Sequence, residues 1–163
     1  MAVLDKYVNA NQEAGKLANP ALMQGMTEFS LIAETEIAVA DSDTSVYRIA
    51  NLPSNAIITS ISSIADTITS GTDYDLGIYD ANSGDVVDAN FFADAINFSS
   101  GFAVGSESNN MTNVAIDEFS DKLYIHAGAT VINKKEGYDL AWTANTVGSS
   151  VGTIVTIVKY ILG

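Results

Sequence analysis

From Phe29 to the C-terminus the chain is a succession of short runs rich in Val, Ile, Thr, Tyr and Phe, each cut by a cluster of Asp, Asn, Ser, Gly or Pro. No stretch sustains the 3.6-residue apolar period of an amphipathic helix, whereas several alternate with period two, as strands with one face on a core do. About seven to nine such strands at regular spacing confine the chain to an antiparallel, all-β sandwich or barrel. At 163 residues it has room for one such domain and an arm.

Residues 29–40, FSLIAETEIAVA, place Thr35, Ile37 and Val39 on one side and Glu36 and Ala38 on the other, as one strand or two. After the turn cluster at 41–44, VYRIANLP reads as a strand that stops before Pro53, which restricts its predecessor and offers no amide donor. AIITSISSIA at 56–65 has the composition of a strand with a lightly polar outer face. DYDLGIYD alternates cleanly, with Tyr74, Leu76 and Ile78 opposite Asp75, Gly77 and Tyr79. Beyond the turn at Asn82, Ser83 and Gly84, the apolar knot of Phe91, Phe92, Ile96 and Phe98 suggests a helical turn over 90–95. Residues 105–112 read as a loop, and VAIDEFSDKLYIHAG as a short helix followed by a strand. YDLAWTANT, with Tyr138, Leu140 and Trp142 on one face, and VGTIVTIVKYIL are joined by a turn at Val147, Gly148 and Ser149, which predicts a C-terminal hairpin.

The first 28 residues have a different texture. Val3, Leu4, Tyr7, Val8, Leu17, Leu22, Met23 and Met26 follow no period that would give them a core, and Pro20 and Gly25 prevent one long helix. Short helical turns fit 4–9 and 21–26. Eight sizeable apolar groups are many for a solvated tail, so residues 1–28 are expected to form an extended arm that orders on a neighbour, and residues 29–163 the β domain.

Twenty acids against seven bases leave a formal charge of −13, and the only adjacent basic pair is Lys134 and Lys135. Phosphate binding needs Lys and Arg clustered on one face, so a nucleic-acid partner is not expected. The charge suits docking on a basic or mixed-charge protein surface. Asp5, Lys6, Asn9, Asn11 and Gln12 interrupt the N-terminus too early for a secretory signal, and the longest apolar stretch is too short to span a bilayer, so no membrane role is expected. With no cysteine and a single histidine, thiolate and histidine metal sets are excluded within one chain.

The remaining chemistry is isolated. Asp80, Asn82, Asp85 and Asp88 fall near calcium-loop spacing, but Gly84 comes one place early and no glutamate closes the loop. The acid pairs Asp41 with Asp43 and Asp73 with Asp75 stand where turns meet strands, positions at which aspartate bonds local amides. His126 has no partner in sequence for nucleophile activation. Asn97 and Asn110 open glycan-acceptor patterns that lack a secretory route. No catalytic, cofactor or metal site is expected, and an apolar arm on a β domain without catalytic residues points to an assembly component rather than an enzyme.

The phrases LPSNAIITSISS, DYDLGIYD, VVDANFFADAINFSSG, DKLYIHAG and YDLAWTANTVGSSVGTIVTIVKYI stand in an order that resembles tailed-bacteriophage capsid decoration proteins. Leu52, Pro53, Asn55 and Ala56 carry the first phrase. Tyr74, Asp75, Leu76, Gly77 and Tyr79 carry the second, and Tyr138, Asp139, Leu140, Gly152, Thr153 and Tyr160 the last. The likeness spans about residues 51–162; residues 114–120 depart from the family's helix-and-tryptophan character. It implies a jelly-roll-like β-sandwich that acts as a cement protein on the outer capsid surface of a virion, made in the host bacterial cytoplasm. It further implies a homo-oligomer, a trimer favoured over a dimer, that clamps adjacent capsomers of the major capsid protein. The arm is then expected to contact the capsid or a neighbouring copy, and the adjacent Phe91 and Phe92 to supply a subunit contact.

A second reading makes the chain a phage tail or adhesin-type module that binds a glycan or receptor through Tyr74, Tyr79, Phe91, Phe92, Tyr124, Tyr138, Trp142 and Tyr160. Their places on alternating strands favour the core instead.

Overall fold

The computed structural model describes residues 27–129 and 137–163; the arm residues expected at positions 1–26, and Lys134 and Lys135, lie outside them. Eight strands follow in order: β1 (Phe29–Ile37), β2 (Ser45–Pro53), β3 (Ala56–Ala65), β4 (Asp73–Asp80), β5 (Val86–Ile96), β6 (Ser108–Asn109), β7 (Gly137–Thr146) and β8 (Gly152–Leu162). A single helical turn, α1 (Leu123–His126), lies between β6 and β7.

Two four-stranded antiparallel sheets result, one ordered β1-β8-β3-β6 and the other β2-β7-β4-β5. β1 pairs with β8, β2 with β7, β3 with β6 and β4 with β5. The chain is thus one long hairpin of four nested pairs, rolled so that alternate pairs fall in opposite sheets. This is the eight-stranded jelly roll. Further pairing of β3 with β8 and of β4 with β7 completes each sheet.

Period-two alternation supplies the core. Ile58, Ile61, Ile154 and Val158 from one sheet meet Leu52, Tyr74, Leu76, Ile78, Leu140 and Trp142 from the other. Trp142 is fully buried and meets the ring of Phe98 edge-on at 5.4 Å. Its indole N–H donates across the interior to the Thr156 hydroxyl at 2.9 Å, so β7 and β8 face each other through the core.

That geometry replaces the expected C-terminal hairpin. β7 and β8 belong to different sheets, and the link at residues 147–151 crosses from one to the other, because each strand already has two partners within its own sheet. Two further expectations change. Residues 90–95 are strand, not helix: between Leu76 and Ile78 the partner on β5 runs from Ala93 back to Asp88, so β5 carries a large bulge. The bulge lies over Gly77, where a Cβ would stand 2.0 Å from the Asp88 carbonyl oxygen and 2.3 Å from the Ala89 carbonyl carbon. Residues 123–126 form a helical turn rather than a strand. β6 takes the free edge of β3 at Ser62 and Ser63, and the turn drops Leu123 into the core while the Tyr124 amide bonds the Ser54 carbonyl at 2.9 Å. Lesser differences are that residues 108–109 pair as β6 within the expected loop, that β1 ends at Ile37 and leaves Val39 exposed, and that β2 includes Pro53 as its last residue.

Two substitutions test this packing by urea unfolding. Gly77→Ala is expected to lower stability by about 2–3 kcal/mol, since it wedges a methyl group against backbone that cannot yield without unseating the bulge. Trp142→Phe is expected to cost about 1–2 kcal/mol through the lost hydrogen bond and the lost ring volume.

Candidate interaction surfaces

The two outward sheet faces differ in kind. On the β2-β7-β4 face, Arg48 reaches across the buried Ala141, donates to Asp139 Oδ2 at 2.7 Å and to the Gly84 carbonyl at 2.9 Å, and lies 5.2 Å from the Tyr79 ring centre. Asn51 donates to the other Asp139 oxygen at 2.7 Å, and the Tyr79 and Thr143 hydroxyls bond each other. Asp75, nearly buried, accepts from Asn145 at 2.7 Å and from the Ala95 amide at 3.0 Å. Ala95 adopts the left-handed conformation, with φ of 53°, as the chain leaves the bulge. These polar groups satisfy one another, which leaves the face closed over rather than poised for a ligand.

The acid pairs serve turns. Asp41 accepts the Ala38 amide and the Tyr47 hydroxyl, both at 2.8 Å, and the backbone bond above all holds its carboxyl below the usual range. Tyr47 is raised in turn by burial and by Asp41. Asp43 accepts the Val147 amide at 3.0 Å, and Asp73 accepts from Asn145 at 3.2 Å. Asp80 Oδ1 accepts the amides of Asn82 and Ser83, each at 2.8 Å, and those bonds lower its pKa. Asn110, of the second glycan-acceptor pattern, is fully buried and donates to Ser63 at 2.6 Å.

The β1-β8-β3 face is of the other kind. On the outer side Ile32 pairs with Ile157, and one row along, Val155 stands between Glu34 and Ile64. Ile157 and Val155 are half-buried by their neighbours, while Ile32 is 69% exposed. Beyond Ile64 the segment carrying Phe102, which bridges to Ala65, forms a wall. Between the wall and the sheet runs an open groove of about 550 Å³ lined by Ile64, Ala65, Phe102, Val104, Thr153 and Val155. Acids rim the surface: Glu34 is exposed, Glu36 accepts the Thr153 hydroxyl at 2.8 Å, and Asp66 accepts the Thr153 amide at 3.2 Å. Lys159 is the one base on this outer face among the described residues.

No family model and no curated protein matches the sequence. Among solved structures the chain is similar to one in the capsid asymmetric unit of cyanophage Pam1, at 18% identity over 85% of this chain and 87% of that one, with a TM-score of 0.53. A chain from the acid-stable capsid of Helicobacter pylori bacteriophage KHP30 aligns over 84% of this chain and 93% of its own, at 15% identity and a TM-score of 0.43. The Pam1 likeness is one of fold.

Of the two phenylalanines expected at a subunit contact, Phe92 is 1% exposed and belongs to the core. Phe91 is half-buried, edge-on to Phe92 at 4.9 Å and 4.5 Å from the His126 ring, and keeps some open surface. Of the expected sugar-stacking aromatics, Tyr74, Phe92 and Trp142 are buried in the core, Tyr79 is buried on the outer face beneath Arg48, and Tyr124, Tyr138 and Tyr160 are half-buried. The apolar outer face was not anticipated. Its signal was present in β8, where Val155, Ile157 and Ile161 alternate with the inward Ile154, Thr156 and Val158, so that both faces of one strand are apolar.

His126 gives a pH test. Burial lowers its pKa below the ordinary 6.5, outweighing the opposing charges of Asp121 and Glu118. The unfolded chain therefore takes up the proton first, so the stability tied to the neutral ring is complete above pH 6.5 and declines as pH falls toward the depressed folded value. Thermal melts between pH 7.5 and 5 should show wild type losing more stability than His126→Gln over that window.

Proposed function

We propose that the chain is a structural component of a phage virion, a decoration protein that oligomerises on the outer capsid surface and clamps adjacent subunits of the major capsid protein. The observation that carries this reading is the outward apolar face of the β1-β8-β3 sheet, set on a jelly roll of the kind found in the Pam1 capsid. An acid-rimmed apolar sheet face is a surface built to be covered by protein. The order of sequence phrases shared with decoration proteins supports the same role, as does the confinement of every candidate catalytic acid to turn and network bonds. The arm, with Val3, Leu4, Tyr7, Val8, Leu17, Leu22, Met23 and Met26, supplies contacts between neighbours, and Phe91 a further one. Many weak contacts repeated around a symmetric oligomer hold through avidity.

The test is co-sedimentation of the purified protein with phage heads that lack it, followed by imaging of the occupied positions. Saturable binding at symmetry-related sites on the head exterior is the expected result, and removal of residues 2–26 should reduce it at least tenfold. Binding only to tails, or to host polysaccharide rather than heads, would overturn the reading in favour of an adhesin.

A further inference from the structure

We infer that the apolar outer face of the β1-β8-β3 sheet is the seat for the N-terminal arm of a second copy of this chain. The inference deepens the assembly reading and rests on it only for the existence of an oligomer.

Three observations select this occupant. The first is charge. Within residues 1–26, Asp5 and Glu13 balance Lys6 and Lys16, so the whole formal charge of −13 belongs to the remainder of the chain. Two copies of the sheet face pressed together would bring two acidic rims, each with Glu34 and Glu36, into one interface, whereas a neutral arm with eight apolar groups and two lysines meets both the isoleucine-valine centre and the acidic rim.

The second is where the arm begins. Phe29 stacks on Tyr160 at 5.3 Å, and Glu28 accepts the Thr59 hydroxyl at 2.9 Å. These contacts fix the departure point at the end of the strands, beyond the apolar centre of the chain's own face.

The third is length. Strands of nine to eleven residues make a face about 30–36 Å long. The 26 residues before Thr27 span up to about 86 Å at full extension, far more than one face requires and enough to reach the next molecule. Arm into seat is a heterologous contact, which repeats head to tail and forms a ring where the rotation between copies closes.

The eight strands run from Phe29 to Leu162, so a deletion of residues 2–26 takes no residue from them. The test uses sedimentation velocity on four proteins: the full chain, a deletion of residues 2–26, and the full-length variants Ile157→Glu and Ile32→Glu. Ile32 is exposed on an edge strand, so its substitution leaves the core intact if Ile157→Glu should fail to fold. The full chain should self-associate, and each variant should do so at least tenfold more weakly.

The deciding experiment is complementation. The deletion keeps a seat and lacks an arm, and Ile32→Glu keeps an arm and lacks a seat, so an equimolar mixture should form a 1:1 heterodimer and nothing larger. A deletion that stays oligomeric would overturn the proposal in favour of direct contact between folded domains. A monomeric full chain that binds a hydrophobic dye only after deletion would overturn it in favour of each arm covering its own sheet. Head binding by a chain that is monomeric in solution would overturn it while leaving the virion role intact.

Discussion

The hydrogen bond from the Trp142 indole to the Thr156 hydroxyl ties the two sheets together at the point where both are most deeply buried. An indole N–H placed in an apolar interior must find an acceptor, and the acceptor here belongs to the opposite sheet. Thr156 is engaged from its own sheet by Ser63, which accepts from Asn110 in turn. A line of four polar side chains therefore threads an apolar core and fixes how the sheets stack, since sliding one over the other would strand buried donors. It fixes connectivity as well: with Trp142 facing Thr156 through the core, β7 and β8 cannot lie side by side.

The second constraint is local. Gly77 stands on the outer side of β4, and the backbone at Asp88 and Ala89 occupies the space its side chain would fill. Without that glycine the β5 bulge has nowhere to lie, and the turn of the chain through Ala95 that delivers an amide to Asp75 is lost with it. The two outer faces consequently diverge. One is roofed by the bulge and by Arg48 and is filled with polar groups that satisfy each other. The other carries β-branched aliphatic side chains, with Ile32 exposed and Ile64, Val155 and Ile157 half-buried.

Strand positions were legible because alternation is a local signal. β4 begins and ends where period two does, β3 where its β-branched, serine-rich composition does, and Tyr74, Leu76 and Ile78 lie on the buried face that the pattern requires. Partnership was not legible, since alternation says that a strand has one apolar face and not which strand lies beside it. A short polar link between β7 and β8 fits a hairpin and a crossing between sheets equally well. The knot at 91–98 misled for a related reason: adjacent aromatics spaced like a helical face are also what a bulged strand produces when an extra residue shifts its alternation. LYIH carried too short an apolar pattern to distinguish a strand from one turn of helix anchored by Leu123.

β8 holds the clearest connection between sequence and assembly. A strand in an antiparallel sheet with one wet face should alternate apolar and polar, as the second half of β1 does with Ala33 and Ile37 inward and Glu34 and Glu36 outward. β8 instead places branched aliphatic side chains at both parities, between β1 and β3, where the outward Val155 and Ile157 are only half-buried by the neighbouring strands. Solubility alone would select Thr, Lys or Glu at Val155 and Ile157, as it has at Lys159. Retaining aliphatic groups there, in a chain so acidic elsewhere, is physically coherent if protein covers them in the finished assembly. In the assembly we propose, a covering segment without net charge would escape the repulsion between acidic domains, so the same charge would favour joining copies through neutral arms rather than face to face.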